Sequence, residues 1–176
     1  GLGDNTRVSK SSGRPHAITS GSGIEWSPTL LADGRTIAFL RSDARRPARA
    51  AVMNDDGLRD LAPETIAPGF LEALVVPEPV EFAAADGMTI RGQLFLPSSA
   101  RQGERRPAVI FFHGGSRRQM LLGWHPMDYY HHAYAFTQHL ASRGYVVLSV
   151  NYRSGTGYGL EYREALNYGA TGGSEF

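Results

Sequence analysis

Two apolar segments, each running into a glycine-containing loop, dominate the pattern of hydrophobic and polar positions along the chain. The first covers residues 107–112 and ends at a His-Gly-Gly sequence, and the second covers residues 145–150 and ends at the loop 151–159. Apolar runs of about six residues, rich in Val, Ile and aromatic side chains, are typical of strands buried on both faces. The pattern predicts a parallel sheet with helices outside it. Ligands of such sheets bind beyond the carboxyl ends of the strands, where both loops lie.

A helix is predicted between these strands, over about Tyr129 to Arg143, because apolar side chains recur there at helical spacing. Gly144 follows at the C′ position, where a left-handed residue is favoured, and Asp128 is expected as the N-cap. Strand, helix and strand together predict one right-handed crossover of an α/β sheet. A second, short helix is predicted from Leu160 to Tyr168.

The first third of the chain has a different pattern. Short β-forming segments alternate with Asp-Gly turns at spacings of about ten residues, which favours a small antiparallel sheet. A segment with four prolines follows, and Asp86-Gly87 then predicts the turn of a hairpin. The predicted organisation is a small sheet in residues 1–62, a linker in residues 63–79 and an α/β unit in residues 80–176.

Composition narrows the class of protein without defining it. The chain has 176 residues, 41% of them hydrophobic and 20% charged, with a net charge of +1 and no cysteine. The length and composition fit one folded domain or pieces of two domains. The lack of cysteine excludes disulfides and thiolate chemistry. We expect no nucleic-acid partner, because no long basic block occurs, and no membrane span, because no apolar run reaches about 18 residues. The composition leaves an exported and a cytoplasmic location equally open.

The sequence His113-Gly114-Gly115 has two interpretations. Two glycines after a buried strand allow backbone N–H groups to approach a ligand closely, as the binding of a tetrahedral oxyanion requires. The alternative is a tight turn that needs positive φ angles.

Cofactor and metal sites are not expected. His131 and His132 are adjacent, and none of the six histidines has a second histidine four residues further on along a helix, so a zinc motif is absent from the sequence. An exposed face or a packed aromatic cluster is the favoured interpretation of this segment. Gly155 and Gly157 follow a strand, but Leu160 replaces the third glycine of a dinucleotide loop and no lysine follows for a phosphate loop.

The first part of the chain resembles one blade of a TolB-type β-propeller. The resemblance rests on Trp26-Ser-Pro28, on residues 33–39 and on Asn54-Asp-Asp-Gly57. The usual motif has Ser-Pro-Asp-Gly in close succession, whereas residues 29–32 intervene here, so the first turn departs from the pattern. A blade needs neighbours on each side to bury both faces, because repeat units stack.

From Pro77 onward the chain resembles the catalytic domain of prolyl oligopeptidase family serine peptidases, in the dipeptidyl-peptidase and acylaminoacyl-peptidase branches. The matching segments are 107–115, 140–147 and 151–159, with Phe136 and the final Gly-Gly-Ser-Glu-Phe176. The resemblance implies an α/β fold, the N-terminal half of an α/β-hydrolase sheet preceded by a β-propeller blade. It also implies a protein that hydrolyses short peptides by acyl-enzyme chemistry, with no cofactor.

The resemblance also implies roles for individual residues. Gly114 and Gly115 would lie beside the oxyanion, and His113 occupies the place where some branches have a tyrosine whose hydroxyl helps to bind it. Tyr152 and Arg153 would shape a substrate-binding loop beside the active site. A structural salt bridge is an equally good interpretation of Arg153.

One motif of a serine hydrolase is absent from the sequence. No serine has a glycine two residues away on both sides, as Gly-x-Ser-x-Gly requires. The nucleophile, the acid and the histidine are therefore expected beyond Phe176, and the chain alone is expected to be inactive. A homo-oligomer or a complementing chain would then cover the open edge of the sheet. The alternatives are a noncatalytic binding module and an esterase with the same His-Gly-Gly loop.

Overall fold

A computed structural model describes residues 6–8, 15–63, 66–67, 69–115 and 117–165. The regular elements, in chain order, are β1 (Thr6–Val8), β2 (Pro15–Ala17), β3 (Ile24–Leu30), β4 (Ile37–Ser42), β5 (Arg49–Asn54), β6 (Gly57–Asp60), β7 (Glu78–Ala83), β8 (Thr89–Phe95), β9 (Ala108–Phe112), α1 (Asp128–Ser142), β10 (Val146–Asn151) and α2 (Leu160–Arg163). A 3-10 turn at Leu71–Ala73 lies between β6 and β7.

Strands β3, β4, β5 and β6 form an antiparallel sheet in sequence order, as the Asp-Gly spacing predicted. The β3–β4 turn is held by Asp33, whose carboxylate accepts hydrogen bonds from the N–H groups of Arg35 and Thr36 at 3.0 and 2.9 Å. Hydrogen bonds from the Thr36 hydroxyl and from these N–H groups lower the pKa of Asp33 to about 2. The register of β3 shifts between Trp26 and Thr29, beside the residues that depart from the usual blade motif.

A second sheet has the strand order β7-β8-β10-β9. Strands β7 and β8 form the predicted hairpin, β10 pairs antiparallel with β8, and β9 pairs parallel with β10. Only β9 and β10 pair parallel, so the prediction of a parallel sheet is wrong and the sheet is mixed in the described residues. Helix α1 connects β9 to β10, which confirms the predicted strand-helix-strand connection. The helix covers one face of the sheet through a hydrophobic cluster of Leu74, Val75, Phe95, Trp124, Tyr134, Ala141 and Val147.

Burial of β9 on both faces was predicted, and that prediction is wrong for the described residues. Val109 packs against the cluster beneath α1, but Ile110 and Phe112 point to the opposite face and are 58% and 52% exposed. Successive side chains of a strand alternate between faces, so the apolar run could not show whether both faces are covered. On that opposite face the two side chains border an open apolar depression of about 590 Å³.

The predicted ends of α1 are confirmed to within one residue, but the predicted N-cap is wrong. Met127 is the N-cap residue and makes no side-chain capping bond, whereas Asp128 is the first helical residue. The Asp128 carboxylate lies 3.5 Å from the His132 Nε2 atom, one turn further on. Gly144 has a φ of 93°, as predicted for its position. Helix α2 confirms the start of the second predicted helix, but it ends at Arg163 with Glu164 as the C-cap residue, so the predicted continuation through residues 164 and 165 is wrong. Residues 166–168 lie outside the described residues.

Helix α1 also contacts the loop that follows β4. The Tyr134 hydroxyl donates a hydrogen bond to the Ala44 carbonyl oxygen at 2.7 Å, and Gln138 Nε2 donates to the Val75 carbonyl oxygen at 2.8 Å. The Ser42 hydroxyl donates to the Trp124 carbonyl oxygen at 2.6 Å. The loop after β4 is therefore fixed against the α/β unit. The domain boundaries at residues 62 and 80 stay predictions.

No helix in the part of the chain that the structure describes has the length and apolar character needed to cross a membrane.

Candidate functional site

The candidate site lies where β9 and β10 end. Because these strands are parallel, their carboxyl ends meet at one edge of the sheet, and His113 and Tyr152 each directly follow a strand. The two aromatic rings stack, with centroids 4.4 Å apart and planes inclined by 20°. The topology therefore brings the His-Gly-Gly sequence beside the loop 151–159, as the sequence predicted.

Two tyrosine hydroxyls hold the backbone of the His-Gly-Gly turn. Tyr152 donates a hydrogen bond to the His113 carbonyl oxygen, and Tyr130 donates one to the Gly114 carbonyl oxygen, each at 2.7 Å. Tyr130 belongs to the first turn of α1 and is 2% exposed. The turn is thus fixed from the helix on one side and from the end of β10 on the other.

The side chain of His113 is packed rather than solvated. It is 2% exposed and lies between the rings of Tyr152 and Tyr130. Burial lowers the pKa of His113 below its usual value, and the positive charge of Arg118 and the neighbouring His125 lower it further. The neutral imidazole is therefore the form that the folded protein favours near pH 7.

Both glycines of the turn approach neighbouring side chains. Gly115 has a φ of 60°, and a Cβ atom added to it would lie 3.2 Å from Arg118 Nε. A Cβ atom on Gly114 would lie 3.7 Å from the Tyr130 hydroxyl. The N–H groups of these two glycines donate to no backbone carbonyl of the described residues. The tight-turn interpretation therefore holds for Gly115, whose φ is positive.

The buried side chain of Asn151 joins the two loops. Its Oδ1 atom accepts a hydrogen bond from the Met120 N–H at 2.7 Å, and its Nδ2 atom donates to the Met120 carbonyl oxygen at 2.9 Å. The same Nδ2 atom donates to the Tyr158 hydroxyl at 2.8 Å. Further along, the Thr156 N–H donates to the Arg118 carbonyl oxygen at 3.1 Å. The loop after β9 is therefore bound to β10 and to its loop at two separate points.

Arg153 forms an ion pair with the β7–β8 hairpin. Its guanidinium donates two hydrogen bonds to the Asp86 carboxylate, one of them from NH2 to Oδ1 at 2.8 Å. These bonds, together with one from the Met88 N–H, hold the pKa of Asp86 well below its usual range. Of the two sequence interpretations of Arg153, the structure therefore contains the salt bridge.

Sequence reasoning placed His113, Gly114 and Tyr152 in one site, and the structure brings them together. It missed Tyr130 and Asn151. A buried tyrosine hydroxyl usually has a hydrogen-bond partner, so Tyr130 in the first turn of the predicted helix was a usable signal. Asn151 gave no such signal, because its partners depend on the loop conformation. No cluster of three metal-binding side chains occurs among the residues that the structure describes.

The chain is similar to known peptidases over part of their length. It is 38% identical over 100 residues to dipeptidyl aminopeptidase BIII of Pseudoxanthomonas mexicana, a match that covers 53% of this chain and 13% of that protein. No protein-family model matches the chain.

Solved structures match over nearly the whole chain. A puromycin hydrolase superposes with a TM-score of 0.72 at 25% identity, covering 94% of this chain and 24% of that one. An acylaminoacyl peptidase of Pyrococcus horikoshii superposes with a TM-score of 0.66 at 23% identity, covering 93% of this chain and 24% of that one.

The fold is therefore the N-terminal half of an α/β-hydrolase sheet preceded by a β-propeller blade. The relatives and structural neighbours are prolyl oligopeptidase family peptidases, and the chain is similar to a part of them, spanning 13% of the dipeptidyl aminopeptidase and 24% of each solved structure.

Proposed function

We propose that this chain is part of a serine peptidase that hydrolyses short peptides by acyl transfer from a serine. The observation that carries the proposal is the His-Gly-Gly turn at the carboxyl end of β9, whose Gly114 and Gly115 N–H groups donate to no backbone carbonyl of the described residues. Preorganised N–H groups of this kind stabilise the oxyanion of an acyl-transfer intermediate. In α/β-hydrolases one such donor comes from the loop after the third strand.

The remaining roles follow from position. His113 acts through its backbone and through packing, because its neutral ring is enclosed by two tyrosines. Tyr152 and Arg153 form the wall of the substrate site next to the turn, and Arg153 does so while paired with Asp86. The sequence contains no Gly-x-Ser-x-Gly motif. We therefore place the nucleophile, the acid and the catalytic histidine outside this chain, which is expected to be inactive alone.

The test is hydrolysis of fluorogenic dipeptidyl and acylaminoacyl amides by the full-length protein, with a p-nitrophenyl ester as the esterase control. A fluorophosphonate probe should label one serine and block cleavage of the amides. Hydrolysis of the ester alone would favour the esterase alternative, and neither hydrolysis nor labelling would favour a noncatalytic module.

A glycine variant tests the oxyanion region directly. Gly115→Ala retains the N–H group but places a Cβ atom 3.2 Å from Arg118 Nε at a φ of 60°, so the turn should shift and the N–H should lose its alignment. Loss of one aligned oxyanion donor should lower kcat by about 100-fold or more. Gly103→Ala is the matched control, because Gly103 also has a positive φ, of 80°, but a Cβ atom there meets nothing within 4 Å. Equal activity of the two variants would contradict the assignment.

A further inference from the structure

We propose that Tyr130 and Tyr152 are positioning residues that set the direction of the two peptide groups between His113 and Gly115. The inference rests on the proposed function, because it gives the tyrosines a part in binding the oxyanion. Neither tyrosine needs to touch the substrate for this role. Each acts through the backbone that it holds.

The geometry of the peptide bond carries the argument. In a trans peptide the C=O and N–H groups point in opposite directions, and the described chain contains no cis peptide. The Tyr152 hydroxyl binds the His113 carbonyl oxygen, so the N–H of Gly114, in the same peptide group, points away from Tyr152. The Tyr130 hydroxyl binds the Gly114 carbonyl oxygen, so the N–H of Gly115 points away from Tyr130. The two hydroxyls therefore orient both candidate oxyanion donors.

The turn needs such support because its residues are glycines. Without a Cβ atom, a glycine adopts several backbone conformations at little cost, so the peptide plane beside it can rotate. An N–H group that rotates away from the oxyanion contributes nothing to catalysis, since preorganisation is the source of the effect. The hydrogen bonds to the carbonyl oxygens oppose that rotation.

The tyrosines themselves are held rigidly. Tyr130 projects from α1, is 2% exposed, and has the Arg118 guanidinium 5.6 Å from its ring centroid. Tyr152 directly follows β10 and stacks on His113 at 4.4 Å. Replacement by phenylalanine removes each hydroxyl and retains the ring, so the packing is preserved.

The experiment measures kcat and KM of the full-length protein for one fluorogenic peptide amide, and the affinity for the matching peptide aldehyde. Tyr130→Phe and Tyr152→Phe should each lower kcat about 10-fold with KM unchanged, because a lost hydrogen bond is worth about one factor of ten. Affinity for the aldehyde, which forms a tetrahedral adduct, should fall by the same factor as kcat. Affinity for an uncleavable peptide should stay constant.

Tyr129→Phe is the matched control, because Tyr129 precedes Tyr130 in α1 and is 68% exposed. It should behave as the wild type. An active wild type with unchanged kcat in both Tyr130→Phe and Tyr152→Phe would overturn this inference and leave the proposed function intact. A rise in KM with constant kcat in these two variants would also overturn this inference. A wild type that cleaves no peptide would overturn the proposed function, and this inference with it. If one variant does not fold, the other tests the neighbouring peptide group.

Discussion

Replacing Asn151 by aspartate should destabilise the α/β part by about 3 kcal/mol, the scale reported for an unpaired buried charge. Asn151 is 2% exposed and uses its Nδ2 group to bind the Met120 carbonyl oxygen at 2.9 Å. A carboxylate of the same shape has no donor, so it would face that carbonyl oxygen without a proton between them. The Tyr158 hydroxyl can reorient and donate, which offsets part of the loss.

The assay is calorimetry of the full-length protein, following the transition of the α/β part. A loss of about 3 kcal/mol lowers the melting temperature of a domain of 150–250 residues by roughly 6–12 °C. The deficit should also depend on pH. Burial raises the folded-state pKa of the introduced carboxyl, so the variant is closest to the wild type below about pH 4 and loses stability as pH rises through that raised value.

Asn54→Asp is the control, because the Asn54 side chain lies at an exposed turn, where its Oδ1 atom accepts a hydrogen bond from the Asp56 N–H at 3.0 Å and its Nδ2 atom donates to Asp56 Oδ2 at 3.5 Å. A carboxylate accepts the first bond equally well, and solvent screens its repulsion from Asp56 at this exposed turn, so the change should stay within about 0.5 kcal/mol. Equal melting temperatures for the Asn151→Asp and Asn54→Asp variants would refute the reasoning. A deficit that persists unchanged at acid pH would refute it as well.

Two further predictions concern charged and titratable groups. If Arg153 acts through its ion pair with Asp86, Asp86→Asn and Arg153→Gln should lower the melting temperature equally, and the double variant should lose no more than either. A larger rise of KM in Arg153→Gln than in Asp86→Asn would instead show a substrate contact. Burial lowers the pKa of His113 in the folded state, so stability should fall as pH drops below 6.5, the ordinary value, where the unfolded chain takes up the proton first. His113→Asn should flatten this part of the stability–pH profile, and a profile that the variant leaves unchanged would contradict the prediction.

Local patterns in the sequence were sufficient to predict much of the α/β part. The apolar runs at residues 107–112 and 145–150 predicted the strands β9 and β10, and Gly144 marked the end of α1. Strand formation and helix termination could be predicted because both depend largely on neighbouring residues. The exposed face of β9 could not be predicted. Ile110 and Phe112 have the apolar character of buried residues, and the sequence does not show which element covers them.

The candidate site was predictable in its backbone and in the position of Tyr152, but not in the hydrogen bonds that hold the turn. Two glycines after a buried strand indicated a turn close to a ligand, since few other residues fit there. The side chains that fix the turn come from separate elements: Tyr130 from α1, and Tyr152 and Asn151 from the end of β10. Their hydrogen bonds join residues 16, 39 and 31 positions apart in the chain. No local periodicity encodes such contacts.

The contacts of the loop after β4 bear on the order in which the protein folds during synthesis. Ser42 and Ala44 find their partners Trp124 and Tyr134 at separations of 82 and 90 residues. Ribosomes add about 5 to 20 residues per second, so roughly 5 to 20 seconds pass between the emergence of this loop and that of its partners. The strands of the antiparallel sheet are therefore all synthesised before the partners of this loop, and the hydrogen bonds of Ser42 and Ala44 to the α/β part form only after residues 124 and 134 have left the ribosome.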